Sequence, residues 1–384
     1  MSYLGYFRPD GSIGIRNHVG ILSTVTCAND VTRRVHWQVQ GTAAFTHSRG
    51  CGQTPPDLDI ATRTLISLGK NPNLAGVVLV SLGCEGLSVD RVVQGIAESG
   101  KPVDKVVIQE YGAVEAVSRG CHIARSMVGD ATRAKREEAP NSELRVGVKC
   151  GASDAISGLA ANPAMGEACD MFIDEGGSCV LGETTELMGA EHILARRAAT
   201  PEIAKKIYEI VERQEKRVLA TGVDMRGGQP SPGNMEGGLT TIEEKSLGAI
   251  SKGGTRPING VCEYGEAPIG KGLFIVDSPG LESNVLTALA AAGCHVTLFS
   301  TGLGVPHSFP FMPVIKITAN PETSRRLDQH IDLLVEVNRG SQGIHQAAHS
   351  IHSMVEDVAS GKMTKAEIMG YYTDTDIWMV GPII

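Results

Sequence analysis

The chain has 384 residues, 46 glycines, only 4% aromatic residues and a formal net charge of −8. That balance, with no long basic block, argues against nucleic-acid binding, and no stretch is long and apolar enough to span a bilayer. The opening MSYLGYFRPDG lacks the basic and apolar segments of a signal peptide, so a cytoplasmic location is expected.

The first third alternates strands and helices. Strands are expected at 19–25, 74–83 and 103–112, and helices at 29–39, 58–69 and 89–100. The segment 113–138 is helical and charged, and APNSE (139–143) reads as a linker. A second unit opens with a strand, a glycine turn and a helix over 144–158. A strand and polar loop follow at 178–194, a helix at 203–222, and a strand–helix–strand unit at 273–302. Between them, 226–241 is too rich in glycine and proline for regular structure, and a loop of that length is expected to be functional. The tail reads as two helices, 323–337 and 341–360. Continuous rather than alternating apolar runs indicate strands buried on both faces. The expected class is therefore α/β: parallel, doubly wound, Rossmann-like sheets in two units (1–140 and 141–322), with a helical C-terminal segment at 323–384.

In open α/β sheets, ligands bind beyond the carboxyl ends of the strands. Here those ends carry Cys27, then His47, Arg49 and Cys51, then Cys84 and Glu85, then Cys150, Ser153 and Asp154, then Glu183, Glu186 and His192, then Glu282, then His307. A loop that only turned the chain would need Gly, Asn, Asp or Pro, so these groups are expected to assemble one site. Plainer roles stand beside that reading: Ser153 and Asp154 as helix caps, Glu186 and Glu191 as first-turn acids. The nine cysteines include no CxxC pair. Cys169, Cys179 and Cys294 sit in apolar patterns and are expected to be reduced core thiols. His345, His349 and His352 share one helical face, which reads as a packing stripe rather than a metal site. No nucleotide fingerprint and no GxSxG elbow occur.

Six stretches carry a family resemblance: GYFRPDGSIGIRNHVGILSTVTCAND, LGCE, KCGASDAISGLAANPAMG, ETTELMGAEH, GNMEGGLTTIEEKSLGAISKGG and VDSPGLES. In that order they resemble the catalytic region of the altronate/galactarate dehydratase family. The resemblance implies an iron-dependent lyase that eliminates a group β to a carboxylate of a small hydroxy acid. It also implies a small β-rich domain, expected here as a separate small subunit in a larger oligomer. A related two-subunit lyase, which releases sulfite and pyruvate from (2R)-sulfolactate, shares that division.

One loop departs from the family. The dehydratases carry a GRGTP-like loop where this chain has STGLGVPHSFPFM, placing Leu303 at the arginine and adding Phe309, Phe311 and Met312. Loss of a carboxylate-binding arginine and added bulk point to a three-carbon substrate and to sulfite as leaving group. The alternatives are a sugar-acid dehydratase that forms a 2-keto-3-deoxy acid, or a non-catalytic subunit that kept the fold. The metal-ligand candidates are His47, Cys51, Cys84, Glu85 and Cys150, with Glu183 and Glu186 behind them. Fe²⁺ is the expected metal and Mn²⁺ the substitute; an iron–sulfur cluster on Cys51, Cys84 and Cys150 is the third reading. Lys149, His192, Glu244 and Lys245 are the candidate catalytic groups, and Arg49, Ser153, Asp154, Asn234 and His307 the substrate-binding ones. The segment 233–248 is expected to form a lid carrying Asn234, Glu244 and Lys245.

Overall fold

The computed structural model describes residues 2–336 and 340–384. The chain begins with β1 (Ser2–Phe7) and β2 (Ile13–Gly14), then enters a sheet formed by β3 (His18–Ser23), β4 (Thr42–Phe45), β5 (Leu74–Ser81) and β6 (Val103–Val107). This sheet has the order β4-β3-β5-β6, and all its strands are parallel. In β5, LAGVVLVS, every residue but Ala75 is buried, as a strand covered by helices on both faces requires.

The chain returns through β7 (Glu137–Pro140), which pairs antiparallel with β1. The expected linker is therefore built structure: Ala139 is buried in the core, and Asn141–Glu143 forms a short 3-10 turn. The expected strand 103–112 is likewise cut short, since Ile108–Tyr111 turns helical before Gly112 reverses the chain at φ +75°.

The second unit contributes β8 (Arg145–Gly151), β9 (Ser178–Leu181), β10 (Ile258–Cys262), β11 (Gly272–Val276), β12 (Val296–Thr301), β13 (Val314–Thr318) and β14 (Leu333–Leu334). They form one parallel sheet in the order β10-β11-β9-β8-β12-β13-β14. The fold is α/β with two parallel doubly wound sheets.

Two expectations fail locally. Over 226–241 the chain forms the short helices Met225–Gly228 and Pro232–Glu236, the second closed by a capping box between Ser231 and Asn234. The expected helix 323–337 stops at Arg326; Leu333 and Leu334 instead extend the sheet beside Ile317 and Thr318. Residue 337 of that span lies outside the described residues. The second tail helix is present as Gly340–Ala359 and packs on helix Asn162–Asp174. His352 stacks on Phe172 with ring centroids 4.3 Å apart, and its Nε2 lies 3.1 Å from Glu175 Oε1, so that end of the histidine face both packs and meets acid groups.

The sheets share an apolar layer. Phe45, Leu65 and Leu79 of the first unit meet Val285, Leu289, Phe299, Phe309 and Phe311 of the second. Helix Pro55–Lys70 packs on helix Glu282–Ala291 within it. After residue 370 the chain runs as an extended strap along the first unit. Thr375 Oγ1 donates to Thr46 O at 2.6 Å, and the Ile384 N–H donates to Gly52 O at 2.8 Å.

Candidate functional site

The carboxyl edges of β8 and β9 deliver a buried charged cluster. Lys149 and Cys150 end β8, and Glu183 and Glu186 follow β9. Glu183 holds a left-handed backbone (φ 70°) and Ala152 another (φ 46°). Strain of this kind costs about 1–3 kcal/mol per residue and persists where surrounding contacts fix it. Here the contacts are specific. Glu183 Oε2 accepts the Cys150 N–H at 3.0 Å and lies 3.0 Å from Lys252 Nζ, while Oε1 lies 3.5 Å from Lys149 Nζ. The Cys150 thiol donates to Glu186 Oε2 at 3.0 Å, and Lys252 Nζ donates to Cys150 Sγ at 3.2 Å.

Lys252 comes from a 3-10 turn just past helix Ile242–Ile250 and is fully buried. Helix Asn162–Asp174 can lie against that turn because residue 166 is glycine; a Cβ there would stand 2.1 Å from Ser251 O. Lys245, one helix earlier, pairs with Glu186 at 3.3 Å, and Lys149 reaches Glu282 at 3.4 Å. Three ammoniums thus face three carboxylates.

Burial raises the Cys150 thiol further from ionisation, and the Glu186 charge adds to this. Burial and Glu186 also push Glu183 up. Glu186 goes down despite its burial, because Lys245 and Lys252 flank it. Lys252 goes up against its burial, held by Cys150, Glu183 and Glu186. A proton shared between the two carboxylates therefore belongs on Glu183.

The cluster forms one wall of a cavity of about 430 Å³. Its other walls include Gln229, Ser231, Asn234, Ser246 and Glu282. The cover is the segment expected to be a lid: Asn234 Nδ2 donates to Ser153 O at 2.9 Å, the Ala155 N–H donates to Gly237 O at 2.9 Å, and Lys245 Nζ donates to Gln229 Oε1 at 2.8 Å. The Ser246 hydroxyl is buried in this wall without a hydrogen-bond partner among the described residues. Behind it, Phe299 in β12 lies between Lys149 of β8 and Lys316 of β13, whose Nζ atoms stand 4.1 and 4.8 Å from its ring centroid. Burial brings Lys316 down to about 7, and the Lys149 charge contributes. Its ammonium donates to His307 O. Burial also lowers the His307 imidazole, which lies within electrostatic reach of Glu282 and Lys149.

The expected single site is therefore divided between two sheets. Lys149, Cys150, Glu183, Glu186 and Lys245 come together. His47, Arg49, Cys51, Cys84 and Glu85 lie instead at the carboxyl edge of the first sheet. Among the described residues, no hydrogen bond or ion pair links the two groups directly. His47 has no ring nitrogen left for a metal: Nδ1 accepts the Arg49 N–H at 3.1 Å, and Nε2 bonds Ser23 O at 2.9 Å. Glu85 is also spent, on the Thr24 hydroxyl and the Gly83 N–H. Arg49 holds the strap through Asp376 at 3.0 Å and Ile377 O at 2.9 Å. Glu244 is exposed and binds Thr240, so it belongs to the start of its helix rather than to the cavity. Asp154 caps the next helical turn through Ser157 at 2.7 Å, and His192 sits exposed on helix Glu191–Ala195 outside the cavity lining. Phe309, Phe311 and Met312 fill the core between the sheets, not the cavity, so their bulk does not shorten it. Leu303 does approach the lid, 3.8 Å from where a Cβ on Gly233 would stand.

A metal fits these two groups unequally. Cys150, Glu183 and Glu186 bring three donor atoms within 4.8 Å of one another. However, the Lys252 ammonium already contacts all three, at 3.2, 3.0 and 3.7 Å. A dication there would add charge beside a buried ammonium and meet a thiol that resists ionisation. The exposed thiols of the first sheet meet no such competitor.

A polar cavity at strand ends, lined by Lys245, Glu186 and Glu282 and backed by the buried Lys149, Lys252 and Glu183, is the candidate active site. Residues 5–132 match the model of the D-galactarate dehydratase/altronate hydrolase second domain, and residues 141–383 the D-galactarate/altronate dehydratase C-terminal model. The chain belongs to this family and is an enzyme of the lyase class. It is 39% identical to the (2R)-sulfolactate sulfo-lyase subunit beta of Chromohalobacter salexigens, over 96% of this chain and 95% of that one. It is 33% identical to the altronate dehydratase of Bacillus subtilis, over 95% of this chain and 75% of that one. With the galactarate dehydratase (L-threo-forming) of Escherichia coli it shares 32%, over 100% of this chain and 77% of that one. Among the described residues, no helix is long and apolar enough to cross a membrane.

Proposed function

We propose that this chain is the large subunit of a lyase that cleaves the carbon–sulfur bond of a three-carbon hydroxy acid, with (2R)-sulfolactate as substrate and sulfite and pyruvate as products. The observation that carries the reading is 39% identity to a sulfo-lyase beta subunit, above the 33% and 32% shared with the altronate and galactarate dehydratases. Leu303 beside the lid supports it, since it offers no cation to a distal carboxylate. A separate small subunit belongs to the same reading.

Lys245 is the carboxylate anchor. It lies on the cavity wall and is kept charged by Glu186 in spite of its burial. Glu282 is the base: it lines the cavity, is partly open to it, and is steadied by Lys149. It takes the C2 proton; the freed pair forms the C2–C3 double bond, and the C3–S pair leaves with sulfur as sulfite. The enol product then takes a proton at C3 and releases its hydroxyl proton to give pyruvate. Cys51 and Cys84 would hold the iron that the family resemblance implies, and bound there it would supply Lewis-acid chemistry.

The test is anaerobic turnover of (2R)-sulfolactate and of D-altronate by this chain with Fe²⁺ and a small subunit. Sulfite and pyruvate from sulfolactate alone are expected; a 2-keto-3-deoxy acid from altronate would overturn the leaving group. Glu282→Gln should lower kcat roughly 10²–10⁴-fold, the span of a general base, with KM nearly unchanged. A variant with wild-type kcat would remove Glu282 from the reaction.

A further inference from the structure

We propose that Glu175, His352 and Glu356 form a site for a divalent transition ion, with Zn²⁺ the best fit, at the far end of the second sheet from the cavity. Asn141 and Glu175 lie just before β8 and β9 begin, whereas Lys149, Cys150, Glu183 and Glu186 stand where those strands finish or beyond. His352 and Glu356 come from helix Gly340–Ala359, one turn apart and so on one face. The site does not depend on the reaction proposed above.

Tight backbone packing brings these segments together. Helix Asn162–Asp174 ends at Glu175, and Gly176 turns the chain back with φ +86°. A Cβ on Gly177 would stand 2.9 Å from Phe172 O and 3.2 Å from Asn141 O, so this turn lies directly against the 3-10 turn that carries Asn141. Phe172, on the same helix, stacks on the His352 ring and fixes its plane.

The donor atoms are close and turned inward. One ring nitrogen of His352 and one oxygen from each glutamate all lie within 4.8 Å of one another. Asn141 Nδ2 donates to Glu175 Oε2 at 2.7 Å and to Glu356 Oε1 at 2.6 Å, which ties down one oxygen of each carboxylate. The other oxygens face the imidazole: Glu175 Oε1 is 3.1 Å from Nε2, and Glu356 Oε2 is 3.8 Å from Nδ1. Hydrogen bonds that orient ligating carboxylates in this way form the outer shell of a metal site.

The charge and geometry call for a metal rather than a proton. Among the described residues, neither glutamate pairs with a lysine or arginine. His352 is 2% exposed, and its Nε2 has no aligned hydrogen bond among the described residues, despite the nearby oxygen. A ring protonated between two acids would point an N–H along each contact. Nitrogen and oxygen ligands about 2.0–2.2 Å from one tetrahedral zinc stand roughly 3.3–3.4 Å apart, close to the 3.1 Å found between Nε2 and Glu175 Oε1. Imidazole with carboxylates, and no thiolate, suits zinc or manganese. Bound there, the ion staples the C-terminal helix to helix Asn162–Asp174 and to the turn before β8.

The test uses the full chain, stripped with EDTA and with its exposed thiols Cys27, Cys51 and Cys84 alkylated. It is titrated with ZnCl₂, freed of unbound metal and analysed for zinc. Wild type should hold one more zinc per chain than Glu356→Gln or His352→Gln, and zinc should raise its thermal midpoint above any rise in theirs. Glu356 is partly exposed, and glutamine keeps its shape and its bond to Asn141, so that variant folds as wild type does. Asn141→Ala keeps all three ligands and should weaken zinc binding roughly 10- to 100-fold, as loss of an outer-shell partner does. Zinc content equal in wild type and Glu356→Gln, whether high or nil, would overturn the site and leave a proton between the two acids.

Discussion

Removing the Lys252 ammonium would leave Glu183, Glu186 and Cys150 buried around an empty position. Breaking a buried ion pair from one side costs about 3–5 kcal/mol, because the partner charge stays uncompensated. Lys252→Met should therefore lower unfolding free energy by about that amount in urea titrations at pH 7; a loss below about 1 kcal/mol would show that protons or water already balance the cluster. The same residue marks the limit of reading the site from sequence. Cys150, Glu183 and Glu186 were legible because they sit at strand ends, where α/β sheets place ligands. Lys252 lies 66 residues after Glu186 in a helical turn, and only the close approach at Gly166 brings it in. Its one signal was membership of the segment EEKSLGAISKGG, where Lys245 was singled out and Lys252 was not. Cys150 was grouped with Cys51 and Cys84 at strand ends, but β8 belongs to the second sheet and β4 and β5 to the first, a division the local pattern does not carry.

The cover over the cavity is the element whose order was least legible. Glycine and proline argued for an irregular loop over 226–241, yet Pro232 sits in the first turn of a short helix, where its missing N–H costs nothing. Asn234 does two things there. Its Oδ1 accepts from Ser231, and its Nδ2 ties the helix to Ser153 O. Asn234→Ala frees the cover from β8's exit loop without touching either core. At about 1–2 kcal/mol for the lost bonds, KM should rise roughly 5- to 30-fold, with hydrogen exchange faster over 226–241 and the thermal midpoint little changed. Unaltered KM together with unaltered exchange would show that the remaining Ala155–Gly237 and Lys245–Gln229 bonds hold the cover alone. The strap after 370 was missed outright. It has no periodic pattern, and its contacts, Asp376 on Arg49 and Val380 on Asp57, join residues more than 300 positions apart.

At the scale of the molecule, the two sheets fold as neighbours because the first unit docks asparagines into the second. Asn71 Nδ2 donates to Ala290 O and Cys294 O, and Asn73 Nδ2 to His295 O and Phe311 O. His295 sits in that seam, 5% exposed, with Nδ1 accepting the Arg145 N–H at 2.9 Å. Burial, then the Arg145 charge, lowers its imidazole to about 4; burial does the same to His18 and His47. In the unfolded chain all three titrate near 6.5. The unfolded state therefore binds more protons below pH 6.5, and stability falls as pH drops from 6.5 towards 4. Three such groups give a slope of up to about 4.1 kcal/mol per pH unit. Most of that window lies above the range where carboxylates protonate, so urea titrations at pH 7, 6 and 5 isolate the histidines. Unfolding free energy should hold above pH 6.5 and decline between pH 6 and 5. His295→Gln, compared with wild type across the same three pH values, should remove about a third of that decline whatever its effect at pH 7. A variant whose decline matches wild type would place the acid sensitivity outside the seam, because a glutamine there has no proton to gain.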